Sequence, residues 1–464
     1  MKNNIQASLI ELLDTQNVLT GEDLKERFFH IWHMEKPLMA KAMVFPRSTE
    51  EVAAILKLCN ELGQSVIVYG GLTNLVGSTE TSGSEVLISM EKMNQLLEID
   101  VQSRTMTVQS GIILEEVQNA AAEKNLLFPL NYGAKGSAQI GGAISTNAGG
   151  LRVFRFGMIR NLILGLEVVL PDGTIISSLK KIIKDNSGYD LKQLFIGAEG
   201  TLGVVTKAVL KLSERPKSRN SAYVGLDHYD QVIALLKYLD AGLAGTLSGF
   251  ELIWKDSFRA LTSPPSTSKA PLPYDYNYYV LVETLGSHQE NDRKRLEELL
   301  EKALLDELIR DAAFAYTEAD LNWFWTIRED VRGVVSLCTH EQYYDISLPV
   351  GLIGEQVNHM LDELRAIPEV NLVLAFGHVA DGNIHLIVSK TKESQTLSNQ
   401  INDIVYLPLQ AIGGSISAEH GIGLHKKEYL HISRTPQEIQ LMKSLKKAMD
   451  PKGILNPGKI LDNN

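Results

Sequence analysis

The sequence is poor in cysteine and has no long apolar run. It contains two cysteines in 464 residues, Cys59 and Cys338, which lie far apart and outside any Cys-x-x-Cys motif. This excludes a disulfide framework, and also an iron–sulfur cluster, which needs four thiolates. No stretch reaches the roughly 18 apolar residues of a membrane-spanning helix, and the N-terminus lacks the pattern of a signal peptide. We therefore expect a cytoplasmic protein that reaches a membrane only through a partner.

The chain also has fewer basic than acidic residues. Lysine and arginine number 45 against 56 aspartates and glutamates, which gives a formal net charge of −11. Such a balance opposes non-specific binding to nucleic acids or anionic membranes, but it allows a local basic pocket for a small anion. The chain has neither a Walker A motif nor the glycine fingerprint of dinucleotide-binding Rossmann folds. We therefore expect neither a P-loop nucleotide site nor NAD.

Hydrophobic residues make up 44% of the chain, which is enough for a large buried core. Changes in pattern divide the sequence into four regions: helical residues 1–40, glycine-rich α/β residues 41–214, α+β residues 215–400 and helical residues 401–464. A linker is expected at 213–221. The stretch "STEEVAAILKLCNELG" predicts a helix with Ser48 or Thr49 at its start and Gly63 at its end.

Three segments are unusually rich in glycine: "VIVYGGLTNLVGS" (66–78), "GAKGSAQIGGAISTNAGGLRVFRFG" (133–157) and "KDNSGYDLKQLFIGAEGTLGVVT" (184–206). Successive glycines let backbone N–H groups turn toward a phosphate, and they allow the backbone to approach a flat ligand closely. Each segment alone could be a tight turn or a flexible loop. Apolar residues interleaved in the second segment, Ile140, Ile144 and Leu151, disfavour a flexible loop. Together the three segments indicate one large, extended cofactor.

The order and spacing of these segments resemble those of the vanillyl-alcohol oxidase/PCMH flavoproteins. Toward the C-terminus, "GHVADGNIH", "SAEHGIG" and "DPKGILNPGK" resemble the FAD-linked oxidase C-terminal domain. The nearest branch is that of the D-2-hydroxyglutarate, D-lactate and glycolate dehydrogenases. The resemblance covers nearly the whole chain from about residue 40. It implies an α+β fold: a two-subdomain PCMH-type FAD-binding domain, an antiparallel-sheet substrate or cap domain, and a helical C-terminal segment that completes the active site.

The resemblance also assigns FAD contacts to positions in all three segments. In the first segment, which holds the pyrophosphate in that family, the matching residues are Gly70, Gly71, Thr73, Asn74 and Gly77. In the second, which lines the pyrophosphate and the flavin, they are Ser137, Gly141, Gly142, Thr146 and Asn147. Near the adenine end they are Gly203 and Val205, through their backbone. Many relatives bind FAD covalently through a histidine in the first loop. That loop has no histidine or cysteine here, so we predict non-covalent FAD.

The stretch "FGHVADGNIHLIV" places two histidines around a turn. A two-residue Asp381-Gly382 hairpin would make His378 and His385 direct cross-strand partners, with Cβ atoms about 4.5–5.5 Å apart. On geometry alone, two histidines that only pack across the hairpin are the favoured interpretation, and a carboxylate is needed to favour a metal site. Glu419 in "SAEHGIG" completes a His₂Glu set, which leaves open coordination positions. The resemblance agrees, because these positions bind a divalent metal, usually zinc, in the related dehydrogenases.

These residues suggest how a 2-hydroxy acid would be oxidised. The metal would act as a Lewis acid on the hydroxyl group, and His420 would take the hydroxyl proton as general base. The Cα hydrogen would leave as a hydride to the flavin. Asn383 is an additional candidate donor to the substrate.

The substrate carboxylate needs a cation. Arg328 and Arg332 share one face of the helix predicted at 322–335, and arginine binds carboxylates bidentately. A solvated salt-bridged helix face explains the two arginines equally well. The resemblance assigns Arg328 to the substrate carboxylate. The 2-hydroxyglutarate dehydrogenases carry a threonine where this chain has Arg332, and a lysine where it has Tyr343. The residues that bind a distal carboxylate are thus altered, which puts 2-hydroxyglutarate itself in doubt.

The leading hypothesis is an FAD- and metal-dependent D-2-hydroxy-acid dehydrogenase acting on a D-2-hydroxyglutarate- or D-lactate-like substrate. Its electrons would pass to an electron-transfer flavoprotein, a quinone or a cytochrome, and a homodimer is one assembly to consider. A flavin oxidase of the same fold that uses O₂ is the second hypothesis. The third is a non-catalytic flavin subunit of a glycolate-oxidase-like complex, which the joint presence of His378, His385, Glu419 and His420 disfavours.

Overall fold

The computed structural model describes residues 4–25, 27–29, 36–330, 333 and 335–462. The chain forms two compact units. Unit 1 contains the residues up to Gly150, Phe156–Arg215 and the residues from Glu419 onward, and unit 2 contains Leu151–Arg155 and Pro216–Ala418. Residues 401–418, which we assigned to the C-terminal region from the sequence, belong to unit 2. The expected linker at 213–221 consists largely of strand residues.

The helices of the described residues are α1 Ile5–Leu13, α2 Gly21–Lys25, α3 Thr49–Leu62, α4 Leu114–Glu123, α5 Ile140–Ser145, α6 Val153–Phe156, α7 Ile159–Leu162, α8 Tyr229–Leu243, α9 Lys255–Thr262, α10 Gln289–Leu305, α11 Glu318–Glu329, α12 Ile353–Arg365, α13 Gln395–Ile412, α14 Leu430–Ser433 and α15 Pro436–Met449. Short 3₁₀ helices lie at Thr15–Asn17, Met90–Lys92, Leu191–Leu194, Val350–Leu352, Val379–Asp381 and Lys427–Tyr429.

The strands are β1 Val18–Leu19, β2 Phe28–Phe29, β3 Lys36–Pro37, β4 Ala42–Val44, β5 Val66–Tyr69, β6 Val86–Ser89, β7 Leu96–Asp100, β8 Thr105–Gln109, β9 Leu126–Leu127, β10 Ile163–Val169, β11 Ile175–Ser178, β12 Val204–Lys211, β13 Ser213–Glu214, β14 Ser218–Leu226, β15 Leu247–Trp254, β16 Tyr278–Gly286, β17 Asp311–Phe314, β18 His340–Ser347, β19 Val370–His378 and β20 Asn383–Lys390.

Unit 1 begins with a four-stranded sheet of order β1-β4-β6-β5, in which β4, β6 and β5 are parallel. Helix α3 packs its apolar face into the core of this sheet, and Val52, Ile55 and Leu56 are fully buried there. The Ser48 hydroxyl accepts a hydrogen bond of 3.1 Å from the N–H of Glu51, and Gly63 ends the helix in a left-handed conformation. The predicted capped helix is therefore confirmed, with Ser48 as its N-cap.

A second sheet of unit 1 has five antiparallel strands in the order β11-β10-β12-β8-β7. Its core includes Met106, Leu166 and Ala208, and also Ile140 and Ile144 from α5. Both isoleucines are fully buried, so the helix that carries glycines of the second glycine-rich segment is seated firmly in this core.

Unit 2 is built on a seven-stranded sheet of order β17-β14-β16-β15-β19-β20-β18, with antiparallel pairing throughout. Helices α9 and α11 cover one face, where Tyr223, Ile253, Phe258, Leu281 and Phe324 form an apolar core. Helices α8, α10 and α12 also pack on the sheet. This arrangement confirms the predicted helix-covered antiparallel sheet. Among the described residues, no helix is both long enough and apolar enough to cross a membrane.

A buried charge cluster holds the short segment Leu151–Arg155 in unit 2. The carboxylate of Glu283 is fully buried, and it accepts hydrogen bonds from Arg152 Nε at 2.9 Å and from Arg219 Nε at 2.8 Å. Ser248 Oγ adds a third at 2.9 Å. Burial alone would raise the pKa of Glu283, but the arginines outweigh burial and lower it. The charge is therefore paired rather than left alone in the core.

Because the pKa of Glu283 is lowered by folding, its charge stabilises unit 2 above the ordinary pKa, and this stabilisation is lost as the pH falls. We expect Glu283→Gln to lower the free energy of unfolding at neutral pH by about 3 kcal/mol, since it leaves two arginines without their anion. The difference from the wild type should shrink below the ordinary pKa of 4.5. Urea unfolding followed by tryptophan fluorescence measures both.

Asp227→Asn is the matched control for this variant. It removes a partly exposed ion pair with Arg310, in which the Asp227 carboxylate lies 2.7 Å from Nε. Such pairs contribute less than about 1 kcal/mol. An equal loss of stability in the two variants would contradict the importance assigned to burial.

Candidate active site

The first glycine-rich segment leaves β5 at Gly70 and lies against the second. A Cβ atom at Gly71 would collide with the carbonyl oxygen of Ser137, so only glycine allows this approach. A Cβ atom at Gly70 would be 3.7 Å from the backbone nitrogen of Gly142. The structure therefore brings two of the predicted FAD-binding segments together within unit 1.

The rest of the first loop is held by its own side chains. Asn74 Nδ2 donates to Thr79 Oγ1 at 2.8 Å, and Asn74 Oδ1 accepts from the N–H of Ser78 at 3.0 Å. Thr73 is exposed, whereas Gly77 is buried. Asn74 thus uses its amide to shape the loop, and the side chains of Thr73 and Leu75 are exposed to solvent.

Part of the second glycine-rich segment forms helix α5. The N–H of Gly141 donates to the carbonyl of Ser110 at 2.7 Å, and Thr146 Oγ1 donates to the carbonyl of Gly142 at 3.1 Å. A Cβ atom at Gly142 would meet no heavy atom within 4 Å. Asn147 Oδ1 accepts from the N–H of Arg160 at 3.3 Å. Gly142 therefore marks an open surface on an otherwise well-bonded helix.

Polar atoms beside this open surface suit a polar cofactor. Gln139 Oε1 and Ser110 Oγ are buried, and neither has a hydrogen-bond partner among the described residues. Buried polar atoms are nearly always satisfied in folded proteins. A large ligand with many donors and acceptors would satisfy them, and the FAD implied by the resemblance is such a ligand.

The adenine-end positions lie where the third segment enters the second sheet. Gly203 precedes β12, and a Cβ atom there would be 2.6 Å from Val168 Cγ1. Val205 is 5% exposed and its side chain belongs to the core, so only its backbone is open to a role in binding. The backbone contacts assigned to both residues stay a prediction.

In unit 2, the two predicted metal-binding histidines are diagonal neighbours rather than opposite partners. His378 pairs with Asn383, and His385 pairs with Phe376. The prediction of direct opposition was wrong. Side chains two residues apart on a strand point to the same face of the sheet, so His378 and Phe376 share a face. His385 shares this face too, because directly paired residues of neighbouring strands lie on the same side.

The register differs because the turn is longer than two residues. The connection runs over Val379–Gly382: a 3₁₀ turn followed by Gly382 with φ of +88°. Val379 is fully buried and belongs to this turn rather than to the strand. The diagonal placement still brings the imidazoles together. Their ring centroids are 5.4 Å apart, and each offers a nitrogen within 4.8 Å of the other.

Glu251 links one of these histidines to the predicted substrate arginine. Its Oε1 lies 2.7 Å from His378 Nδ1, and its Oε2 accepts from Arg328 Nε at 2.7 Å. Glu251 is 1% exposed and Arg328 6% exposed, so both charges are out of solvent. Burial would raise the pKa of Glu251, but His378 and Arg328 lower it to about 2. The guanidinium of Arg328 also lies 4.8 Å from the ring centre of Phe376.

A second carboxylate stands beside His385. Asp345 is fully buried, its Oδ1 lies 3.8 Å from His385 Nδ1, and it accepts from Asn383 Nδ2 at 2.7 Å. Asn383 Nδ2 also donates to the carbonyl of Ile346 at 3.2 Å. Asn383 Oδ1 is buried and has no partner among the described residues. Asn383 therefore offers a substrate an acceptor, whereas we had expected a donor.

Asp381 and Tyr343 belong to the same end of the sheet as His378 and His385. Burial raises the pKa of Asp381 to about 6, against the opposing effect of His378. Tyr343 lies two residues before Asp345 on β18, so its partly buried side chain shares the face of Asp345 and His385. The end of the sheet thus collects imidazole, carboxylate and guanidinium groups on one face.

Glu419 and His420 open the last segment of unit 1. Glu419 lies beside Gly149, and burial together with the Glu419 carboxylate raises the pKa of Tyr132. Both residues follow Ala418, the last residue of unit 2, whose N–H donates to the carbonyl of Asp345 at 3.3 Å. Arg332 lies outside the described residues, so its predicted part in binding stays a prediction.

Sequence reasoning missed Glu251, which is hydrogen-bonded to His378, and Asp345, which lies beside His385. A signal existed for Glu251: it is the single charged residue in the otherwise apolar and small run "LSGFELIW" of β15. An acid in a fully buried strand needs a cationic partner. The identity of that partner depends on pairing between distant strands, which the sequence does not display.

Two family models match the chain. The model described as "FAD linked oxidases, C-terminal domain" matches residues 215–460, and the model described as "FAD binding domain" matches residues 40–178. The first alone covers more than half of the chain.

The chain belongs to the FAD-linked oxidase family. A mitochondrial D-2-hydroxyglutarate dehydrogenase of Danio rerio is 39% identical over 449 residues, 96% of this chain and 83% of the relative. A putative mitochondrial D-lactate dehydrogenase of Schizosaccharomyces pombe is 40% identical over 424 residues, 89% of this chain and 80% of the relative. A D-2-hydroxyglutarate–pyruvate transhydrogenase of Saccharomyces cerevisiae is 35% identical over 459 residues, 97% of this chain and 92% of the relative.

Solved structures of the same fold agree with the family. p-Cresol methylhydroxylase with substrate bound matches with a TM-score of 0.76 and 15% identity, over all of this chain and 98% of that one. Alkyldihydroxyacetonephosphate synthase matches with a TM-score of 0.73 and 16% identity, over 98% of this chain and 85% of that one. These likenesses show a PCMH-type fold. With its two matching family models, this FAD-linked oxidase is a flavoprotein and an FAD-dependent oxidoreductase.

The open surface at Gly142 gives a test of the FAD site. We expect Gly142→Ala to fold as stably as the wild type or slightly better, because alanine favours a helix by up to about 1 kcal/mol over glycine. We expect its FAD affinity to fall at least about tenfold, because the new methyl group would occupy space next to the ligand. Quenching of flavin fluorescence on titration of the apoprotein measures the affinity.

Gly133→Ala is the control, since a Cβ atom there also meets nothing within 4 Å and Gly133 is exposed. Equal FAD affinity in the two variants would place the cofactor elsewhere.

Proposed function

We propose that this protein oxidises a D-2-hydroxy acid to the 2-oxo acid, with FAD as the hydride acceptor. We also propose that a divalent metal ion binds the substrate, and zinc is the first metal to test. Electrons would leave to an acceptor other than NAD, such as an electron-transfer flavoprotein, a quinone or a cytochrome. D-Lactate and D-2-hydroxyglutarate are the first substrates to test, because the relatives are named for them.

The carrying observation is the buried Glu251 carboxylate between His378 and Arg328. A carboxylate at one imidazole nitrogen fixes the tautomer of a histidine and orients its other nitrogen toward a metal. The same carboxylate fixes the guanidinium of Arg328 through Nε, which keeps the two terminal nitrogens as donors. A metal-binding imidazole next to an oriented guanidinium suits the hydroxyl and carboxylate groups of a 2-hydroxy acid.

The donor set also fits a divalent metal. His378 and His385 each offer a ring nitrogen. A carboxylate lies next to each of them: Glu251 next to His378, and Asp345 next to His385. Two such imidazoles with one carboxylate form the set that zinc uses in catalytic sites. Glu419 is proposed as the third ligand, on the pattern of "SAEHGIG" and on the resemblance. The metal would lower the pKa of the substrate hydroxyl.

The remaining steps are assigned to side chains of the chain. When bound, FAD accepts the Cα hydrogen of the substrate as a hydride. We assign the hydroxyl proton to His420, because imidazoles exchange protons near neutral pH. Asn383 Oδ1 would accept a hydrogen bond from the substrate, Tyr343 would line its side chain, and Arg332 would meet a second carboxylate if one is present.

Anaerobic flavin absorbance tests the proposed function. D- and L-forms of lactate, malate and 2-hydroxyglutarate are added in turn to the purified holoprotein. We expect one D-acid to bleach the flavin band, and we expect a chelator to abolish bleaching while the yellow colour remains. Restoration by zinc would support the metal. A flavin that no 2-hydroxy acid reduces would overturn the proposed function, and full reduction without metal would remove the metal from it.

We expect His420→Ala to keep FAD and metal but to slow flavin reduction by about 10²–10⁴-fold, the usual contribution of a general base. Stopped-flow absorbance with the preferred D-acid measures the rate. His359→Ala is the control, because His359 is an exposed residue of α12. An unchanged rate in His420→Ala would exclude the assignment of the base.

Glu251→Gln tests the orientation of His378. We expect zinc affinity to fall about 10–100-fold, as is usual when a carboxylate behind a metal-binding histidine is lost. Equilibrium dialysis with zinc, followed by metal analysis, measures it. Glu283→Gln is the matched control, because Glu283 is also fully buried in this sheet but is bonded to arginines. Equal zinc affinity in both variants would count against His378 as a ligand.

A further inference from the structure

Glu199 is a buried acid of unit 1 for which the reaction proposed above has no use. It lies in the third glycine-rich segment and is 6% exposed. Its Oε1 accepts from the N–H of Ile422 at 2.7 Å, and its Oε2 accepts from the N–H of Gly423 at 2.9 Å. Ser78 Oγ adds a third donor at 2.8 Å. Three donors converge on this carboxylate, and burial, which raises the pKa of Glu199, is opposed by these bonds and by Lys426.

The backbone of Glu199 is itself fixed. Its N–H donates to the carbonyl of Ser145 in α5 at 2.8 Å, and its carbonyl accepts from Asn456 Nδ2 at 2.7 Å. Ser145 adjoins the predicted FAD-binding residues of the second segment. The carboxylate therefore reaches out from the framework of the predicted FAD site, and not from a loose surface loop.

The N–H groups that Glu199 accepts belong to the turn directly after Glu419 and His420. The next residues of this turn bind the first glycine-rich loop: the N–H groups of Leu424 and His425 donate to the carbonyl of Val76 at 2.9 and 3.2 Å. The turn is thus tied by the Val76 carbonyl and by the Glu199 carboxylate. Two further contacts hold it: the Ile460 N–H donates to the Gly423 carbonyl at 3.0 Å, and His425 Nε2 lies 2.7 Å from Glu80 Oε1. The Glu199 carboxylate accepts from the N–H groups two and three residues after His420, and it can be removed by substitution without changing the backbone of the turn.

We propose that Glu199 is a positioning residue that holds the turn carrying Glu419 and His420 in the orientation that their roles require. The inference rests on the proposed function. A carboxylate that accepts two successive N–H groups fixes the direction of that peptide segment, as anion-binding nests do. His420 is two residues before the first of these N–H groups, so rotation of the segment would displace its imidazole.

The test compares Glu199→Gln with Glu85→Gln in the holoprotein. Glu85 is an equally suitable carboxylate, because it is 5% exposed and accepts from the N–H groups of Ser82 and Ser84, both at 3.0 Å. The glutamine at 199 keeps one acceptor but turns an amide toward an N–H donor. We expect Glu199→Gln to retain FAD, to bind zinc about 10–100-fold more weakly, and to lose at least about tenfold in kcat. Glu85→Gln should change none of these.

Hydrogen exchange of the peptide spanning 419–425 gives a readout that does not depend on activity. We expect faster exchange in Glu199→Gln and wild-type exchange in Glu85→Gln. Ser78→Ala, which removes one donor but leaves the carboxylate on both N–H groups, should give an intermediate result, and it keeps the test open if Glu199→Gln does not fold.

Equal zinc affinity, kcat and exchange in Glu199→Gln and Glu85→Gln would overturn the inference. Faster exchange with unchanged zinc affinity and kcat would also overturn it, because the anchor would then be structural only. If the wild type itself binds no zinc and no 2-hydroxy acid bleaches its flavin, the proposed function fails. Hydrogen exchange then tests separately whether Glu199 holds the turn. Unchanged exchange in Glu199→Gln would overturn that role too, and faster exchange would support it.

Discussion

The candidate site depends on one buried carboxylate. An isolated carboxylate in the apolar core of unit 2 would cost several kcal/mol, and Glu251 avoids this because each of its oxygens meets a cationic or polar nitrogen at 2.7 Å. Its bonds reach His378 on β19 and Arg328 on α11. Glu251 on β15 therefore fixes the relative positions of side chains from three elements that are distant in sequence. The surrounding core excludes water, which keeps these interactions strong.

Other buried acids of the chain serve the same purpose with different donors. Glu283 accepts from two arginines and fixes the segment Leu151–Arg155, and Glu199 accepts from two backbone N–H groups and a hydroxyl. A charged acceptor binds each donor more strongly than a neutral one, and its burial makes loss of any donor costly. Buried acids therefore act in this protein as rigid connections between segments that carry function.

Much of the site was predictable because local pattern and resemblance pointed the same way. The helix after Ser48, the three glycine-rich segments and the shared face of His378 and His385 follow from caps, glycine spacing and the alternation of a strand. The register of the two histidines did not follow. The Asp-Gly pair predicted a two-residue turn, but the folded unit has a longer one, in which Val379 is buried and the backbone forms a 3₁₀ turn before Gly382.

By itself, the sequence indicated a large extended cofactor and the identity of the candidate ligands, because these depend on residue types at short spacing. FAD and the α+β architecture followed from the family resemblance that its motifs carry. Only the tertiary structure decided which carboxylates stand behind the histidines, which atom of Asn383 is free to meet a substrate, and which acid holds the turn after His420. The physical reason is the same in each case. A buried polar group must find its partner in the folded core, and that partner comes from a strand, helix or turn far away in the chain.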